Sequence, residues 1–127
     1  MKRNWTIVGT QDVAHSFAWY QTLFGQPKTA PGHDYFGQLR DEDGEVLLCL
    51  HRWGDHGHPT LTSPDRAAPG NGLLLFFRVD DFDATLLRAR GLVAGLAQEP
   101  EVNPSTGTRE FALWDPDGYY VMVSALG

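Results

Sequence analysis

Arg109-Glu110-Phe111-Ala112-Leu113-Trp114-Asp115-Pro116-Asp117-Gly118 reads as a strand running into a tight turn. A second strand-like run, residues 119–125, follows it. Asp side chains bond turn backbone and Gly accepts positive φ, so the tetrad 115–118 is hairpin-loop chemistry. The same punctuation occurs earlier in the chain. Asp41-Glu42-Asp43-Gly44 separates residues 35–40 from residues 45–53.

Working outward, the segments before each hairpin also match. Residues 4–10 read as a strand, Asp12 follows, and an apolar stripe recurs at Val13, Phe17, Tyr20 and Phe24. That spacing predicts an amphipathic helix. Asp12 is its N-cap candidate and Gly25 its stop. Residues 73–79, Asp81, the stripe Phe82, Leu86, Ala89 and Val93, and Gly91 repeat the arrangement. Each half needs one more short strand, for which residues 28–30 and 97–102 are the candidates. The expectation is βαβββ twice within one domain: a first module over residues 4–53, a Gly- and Pro-rich linker over 54–71 and a second module over 72–127.

Composition sets the outer bounds. The chain has 127 residues and a formal charge of −6, so a phosphate backbone is repelled and no nucleic-acid partner is expected. A lone cysteine, Cys49, excludes an internal disulfide and a Cys-rich zinc site. The longest purely apolar run, residues 73–77, is too short to cross a bilayer. No apolar segment follows the basic start, so no secretory signal is expected. The reading is a cytoplasmic protein without membrane association.

Residues 11–14, 17–25 and above all 109–118 resemble the vicinal oxygen chelate superfamily, which includes glyoxalase I, extradiol dioxygenases, and fosfomycin and bleomycin resistance proteins. The last stretch is most similar to bleomycin resistance proteins. The resemblance spans nearly the whole chain. It implies an α+β fold in which two βαβββ modules form a curled, mostly antiparallel half-barrel with helices on the convex side. It also implies a homodimer and a ligand held in the concave space.

The resemblance places metal ligands seven residues before each helix-capping Asp and four after each hairpin Gly. Those positions here are Trp5, Leu48, Leu74 and Met122. None is His, Asp or Glu. A catalytic divalent ion needs about three N or O donors. The expectation is therefore no metal or cofactor and no turnover, but capture of a small, partly aromatic molecule, such as an antibiotic or metabolite. The alternative is a glyoxalase-like lyase, isomerase or dioxygenase with a non-standard metal or a metal-free acid/base site, using Glu110, His33 or Tyr120.

Strand alternation extends the expected wall to Ile7, Leu50, Phe76, Arg78, Tyr120 and Ser124. A four-residue loop at 115–118 would set Phe111 beside Met122, with Arg109 near. Glu110 would join only if the strand had the opposite parity. His51, His56 and His58, with Asp55 among them, have a spacing that could bind Zn²⁺ or Ni²⁺ from a loop, but no second shell is visible and the favoured reading is an exposed polar turn opening the linker. By the same alternation His51 faces the helix side unless a bulge shifts the register. Cys49 reads as a small core residue on that side.

Overall fold

A computed structural model describes residues 3–127. Two compact units make up the chain. One holds the residues through Gln21 together with Pro27–Pro69, and the other holds Thr22–Gln26 together with Gly70–Gly127. The α+β class stands as expected.

In the first unit, β1 (Ile7–Thr10) leads into α1 (Val13–Leu23), whose residues through Gln21 belong to this unit, then β2 (Phe36–Arg40) and β3 (Val46–Arg52). The Asp12 carboxylate accepts from the His15 amide at 3.0 Å, satisfying a first-turn donor. The sheet order is β1-β3-β2, with β1 parallel and β2 antiparallel to β3. One face packs under α1. A Cβ on Gly37 would stand 2.9 Å from Pro31 and 3.1 Å from Phe17, so only glycine fits there. Val8, Leu39, Leu48 and Leu50 share that face and are buried. Trp19, which lies off the helix's main stripe, is also buried, edge-on to Tyr20 at 4.8 Å. Residues 28–30 form no strand, so this unit lacks the fourth strand its sequence suggested. The linker supplies three short 3-10 turns, Asp55–Gly57, Pro59–Leu61 and Pro64–Arg66.

The second unit contains β4 (Leu75–Val79), α2 (Phe82–Leu92), β5 (Gln98–Val102), β6 (Arg109–Trp114) and β7 (Tyr120–Ala125). Asp81 caps α2 by accepting from the Ala84 amide at 3.1 Å. The sheet order is β4-β7-β6-β5; only the β4–β7 pair is parallel. Its helix-side face carries Phe111, Leu113, Val121 and Val123, all fully buried. Phe82 of α2 meets Phe111 edge-on at 5.4 Å.

Both hairpins close one residue later than a four-residue loop would. The Asp115 amide donates to the Tyr119 carbonyl, and Trp114 pairs Tyr120. Likewise the Asp41 amide donates to the Glu45 carbonyl, and Arg40 pairs Val46. The first hairpin then contains a β-bulge. Its register steps from Arg40–Val46 to Leu39–Leu48, leaving Leu47 as the extra residue.

Candidate functional site

Each single-residue slip exchanges the faces of every residue beyond it. Three expected wall residues therefore belong elsewhere. Phe111 opposes Val123 and points toward α2, because the loop takes five residues; Ala112 opposes Met122 instead. Leu48 and Leu50 lie on the α1 side, because the bulge adds a residue before them. Arg109 also points to the helix side, where its guanidinium sits 4.3 Å over the Phe82 ring and pairs with Asp83 at 3.0 Å.

The same slips bring other residues to the open faces. Cys49 pairs Gln38 and Ile7 just as Met122 pairs Ala112 and Phe76. Cys49, not Leu48, is thus the positional equivalent of Met122. His51 shares the open side with Gly9 and Phe36, not the helix side. Glu110 shares it with Ser124 and Met122 in the second unit.

The first unit's open face begins with Trp5 and Ile7, 51% and 43% exposed, whereas adjacent Val8 is 4% exposed. A depression of about 480 Å³ lies beside Trp5, bounded by Arg3, Arg40 and Glu45. Gly9 is needed for space rather than for φ: a Cβ there would lie 2.5 Å from the Trp53 indole. Cys49 is fully buried on this side, with Gln38 Nε2 at 3.9 Å from its sulfur.

Burial pushes the Cys49 thiol up from its ordinary value of 9.0, although Gln38 and Arg40 oppose the rise. Native Cys49 should therefore alkylate slowly at pH 8, about tenfold less for each unit of that rise, and react fully in urea. Iodoacetamide labelling followed by mass spectrometry checks this; equal native and denatured rates would exclude it. The folded state holds the proton more tightly, so this group's stabilisation is present below pH 9.0 and is lost as pH rises through the folded value.

The second unit's open face carries Leu74 and Phe76, 51% and 44% exposed, against 5% for adjacent Leu75. Trp114 meets Tyr120 edge-on at 4.9 Å, and Met122 and Tyr120 are half-buried. Arg78 is exposed, and its Nη2 donates to the Leu126 carbonyl at 2.6 Å. The same face carries a buried polar cluster. Glu110 accepts from Asn103 Nδ2 at 3.2 Å, and the Thr108 and Ser124 hydroxyls are 3.3 Å apart.

The histidine segment is not a dispersed polar turn. His51 is buried, and one ring nitrogen from each of His51, His56 and His58 lies within 4.8 Å of the others. Arg52 Nε donates to Asp55 at 2.6 Å, and this hydrogen bond holds the Asp55 carboxyl below the usual carboxylate range. The ion pair folds the segment back over the end of β3. Among the described residues, no other group of three His, Cys, Asp or Glu side chains gathers this way.

Two strand-helix-strand modules, each ending in an Asp-rich hairpin, are matched by one family model, which covers residues 2–123. The chain belongs to the Glyoxalase/Bleomycin resistance protein/Dioxygenase superfamily. Solved structures of low sequence identity share the fold. A glyoxalase/bleomycin resistance protein from Catenulispora acidiphila DSM 44928 is 22% identical over 98% of both chains, with a TM-score of 0.66. TioX from Micromonospora sp. ML1 is 20% identical over 97% of this chain and 98% of its own, with a TM-score of 0.64. A lactoylglutathione lyase from Agrobacterium tumefaciens is 17% identical over 99% and 95%, with a TM-score of 0.69. No curated protein gave a match. Among the described residues no helix is long and apolar enough to cross a membrane.

The metal positions that the sequence resemblance implies do not fit a hard divalent ion. With the bulge counted, they are Trp5, Cys49, Leu74 and Met122. Trp5 and Leu74 offer no ligating lone pair, and Met122 offers only a soft thioether. Cys49 is a neutral, buried thiol.

Proposed function

We propose that this superfamily member captures a small, partly aromatic organic molecule without a metal at the four family positions. The observation that carries the reading is the exposure of Ile7 and Phe76 on strand faces opposite packed ones, with Trp5 and Leu74 exposed just before those strands. Exposed apolar pairs of this size, one on each unit, mark contact surfaces. Indole and phenyl rings offer stacking and apolar burial, the usual lining of an organic-ligand site. Tyr120 and Arg78 add polar edges. The similar structure named as a glyoxalase/bleomycin resistance protein gives the reading a precedent. A homodimer in the cytoplasm completes the proposal.

A second reading has its own observation. Glu110 is a buried carboxylate on the open side, where a general acid or base would need to be. It would make the chain a metal-free isomerase or lyase.

One experiment tests both. Titration with a panel of planar aromatic natural products should quench tryptophan fluorescence saturably. Trp5→Ala or Phe76→Ala should weaken the best binder about tenfold, the value of roughly 1.4 kcal/mol of lost contact. Chemically unchanged ligand recovered from the mixture supports capture, and a converted one supports Glu110 chemistry. Failure of every compound to saturate would end the binding proposal.

A further inference from the structure

The geometry points to a second kind of site in the first unit: His51, His56 and His58 bind one divalent transition-metal ion of the zinc, cobalt or nickel type. The family positions take no part in it, so it stands apart from the capture reading.

His51 supplies the rigid ligand. It lies within β3 and is 4% exposed. Its Nδ1 is 2.8 Å from the Arg52 carbonyl. A carbonyl oxygen can only accept, so Nδ1 carries the hydrogen and Nε2 keeps its lone pair, which faces His56. That backbone bond fixes both ring orientation and tautomer, the usual arrangement behind a metal-ligating histidine.

Nε2 of His51 is 3.3 Å from Nδ1 of His56. A tetrahedral ion with Zn–N bonds of about 2.0–2.1 Å separates two ligating nitrogens by about 3.3–3.4 Å. The pair already has the spacing such an ion requires. The His58 ring, 5.1 Å from that of His51, stands ready to close the third side. His56 and His58 are exposed and can adjust by rotation.

The backbone is bent to bring these rings together. His56 has φ 63, a left-handed conformation that non-glycine residues rarely adopt, between Gly54 at φ 87 and Gly57 at φ 63. The Arg52–Asp55 hydrogen bond and a 2.8 Å bond from the Gly54 amide to the Leu61 carbonyl hold the bend. Strain held by surrounding bonds and aimed at a side-chain cluster is a mark of function.

Without an ion, His56 Nδ1 donates its hydrogen to His51 Nε2. When the ion binds, His56 Nδ1 loses its proton to water and Nε2 takes one up from water, so His56 becomes the Nε2–H tautomer with no net proton release and all three rings remain neutral. Three imidazoles with no carboxylate ligand favour borderline transition ions over Mg²⁺ or Ca²⁺. The fourth position is left to water.

The probe is Co²⁺, titrated into protein purified without a polyhistidine tag. Wild type should develop saturable visible bands of tetrahedral Co²⁺ at one ion per chain, and Zn²⁺ should abolish them. His56→Gly and His58→Ala should each weaken binding at least about tenfold. Glycine suits φ 63, so His56→Gly keeps the fold, which circular dichroism will check. His15→Ala, on the exposed side of α1, should leave the bands intact. Absent or non-saturating bands overturn the site, as do bands insensitive to both cluster variants. Planar-compound quenching measured on His56→Gly should match wild type, so either proposal can fail while the other stands.

Discussion

Leu48→Glu, which installs a carboxylate at the position counted from the hairpin glycine, is expected to unfold the protein at neutral pH or nearly so. Leu48 is 1% exposed on the face beneath α1. Two costs add. Removing the leucine side chain from that packing forfeits about 2–5 kcal/mol. The incoming carboxyl must also stay protonated where no partner awaits it. A fully buried Glu is raised by about 3–5 pKa units, and each unit costs about 1.4 kcal/mol well above that pKa. The sum approaches the roughly 5–15 kcal/mol that holds a domain together. The pH dependence has a definite sign. The folded pKa is raised, so the variant is least impaired below the unfolded value and loses stability as pH rises toward the folded one.

Ile7→Glu is the companion measurement. Ile7 lies in the neighbouring strand on the opposite face and is 43% exposed. It should change stability by about 1 kcal/mol or less. Urea unfolding at pH 5 and pH 8 measures both. Equal tolerance of the two glutamates would mean that the bulge at Leu39/Arg40 is misplaced and that Leu48 faces outward.

Phe111→Ala should lower stability by about 3–5 kcal/mol and the melting temperature by roughly 10–20 °C. Phe111 is fully buried and edge-on to Phe82, the first residue of α2. Phe82 in turn carries the Arg109 guanidinium on its ring. Truncation opens a cavity between sheet and helix and removes the support for that stack. Phe76→Ala, at a ring 44% exposed on the other face, should cost about 1 kcal/mol or less. The pair separates a core phenylalanine from a ligand-facing one by calorimetry alone. A Phe111→Ala protein as stable as Phe76→Ala would place Phe111 back on the open wall.

Both results turn on register, the property least visible in the linear chain. The run Val46-Leu47-Leu48-Cys49-Leu50 is apolar at every position, as is Phe111-Ala112-Leu113-Trp114. Strict alternation would have revealed which residues face out; continuous apolar runs do not. One clue was present in each hairpin. Asp115 binds the Tyr119 amide through its side chain at 2.8 Å, which draws Tyr119 into the loop and lengthens it to five residues. Loop length sets strand pairing, so this bond decides the side of Phe111 and Glu110. The bulge at Leu47 left only a weaker trace, an aliphatic doublet in the middle of a strand.

Local chemistry was enough for the punctuation. Asp12 and Asp81 cap helices because a short carboxylate reaches a free amide of the first turn. The two Asp-rich tetrads turn because Gly44 and Gly118 adopt φ 86 without strain. Such interactions span only a few residues, so sequence spacing contains them in full, and the repeat and the superfamily could be read from it. The face a strand residue takes depends on how many residues the neighbouring strand spends in its turns and bulges. The meeting of His51, His56 and His58 depends on a backbone bent by an ion pair. Both are sums over contacts made after the chain has folded, and residue order alone does not contain them.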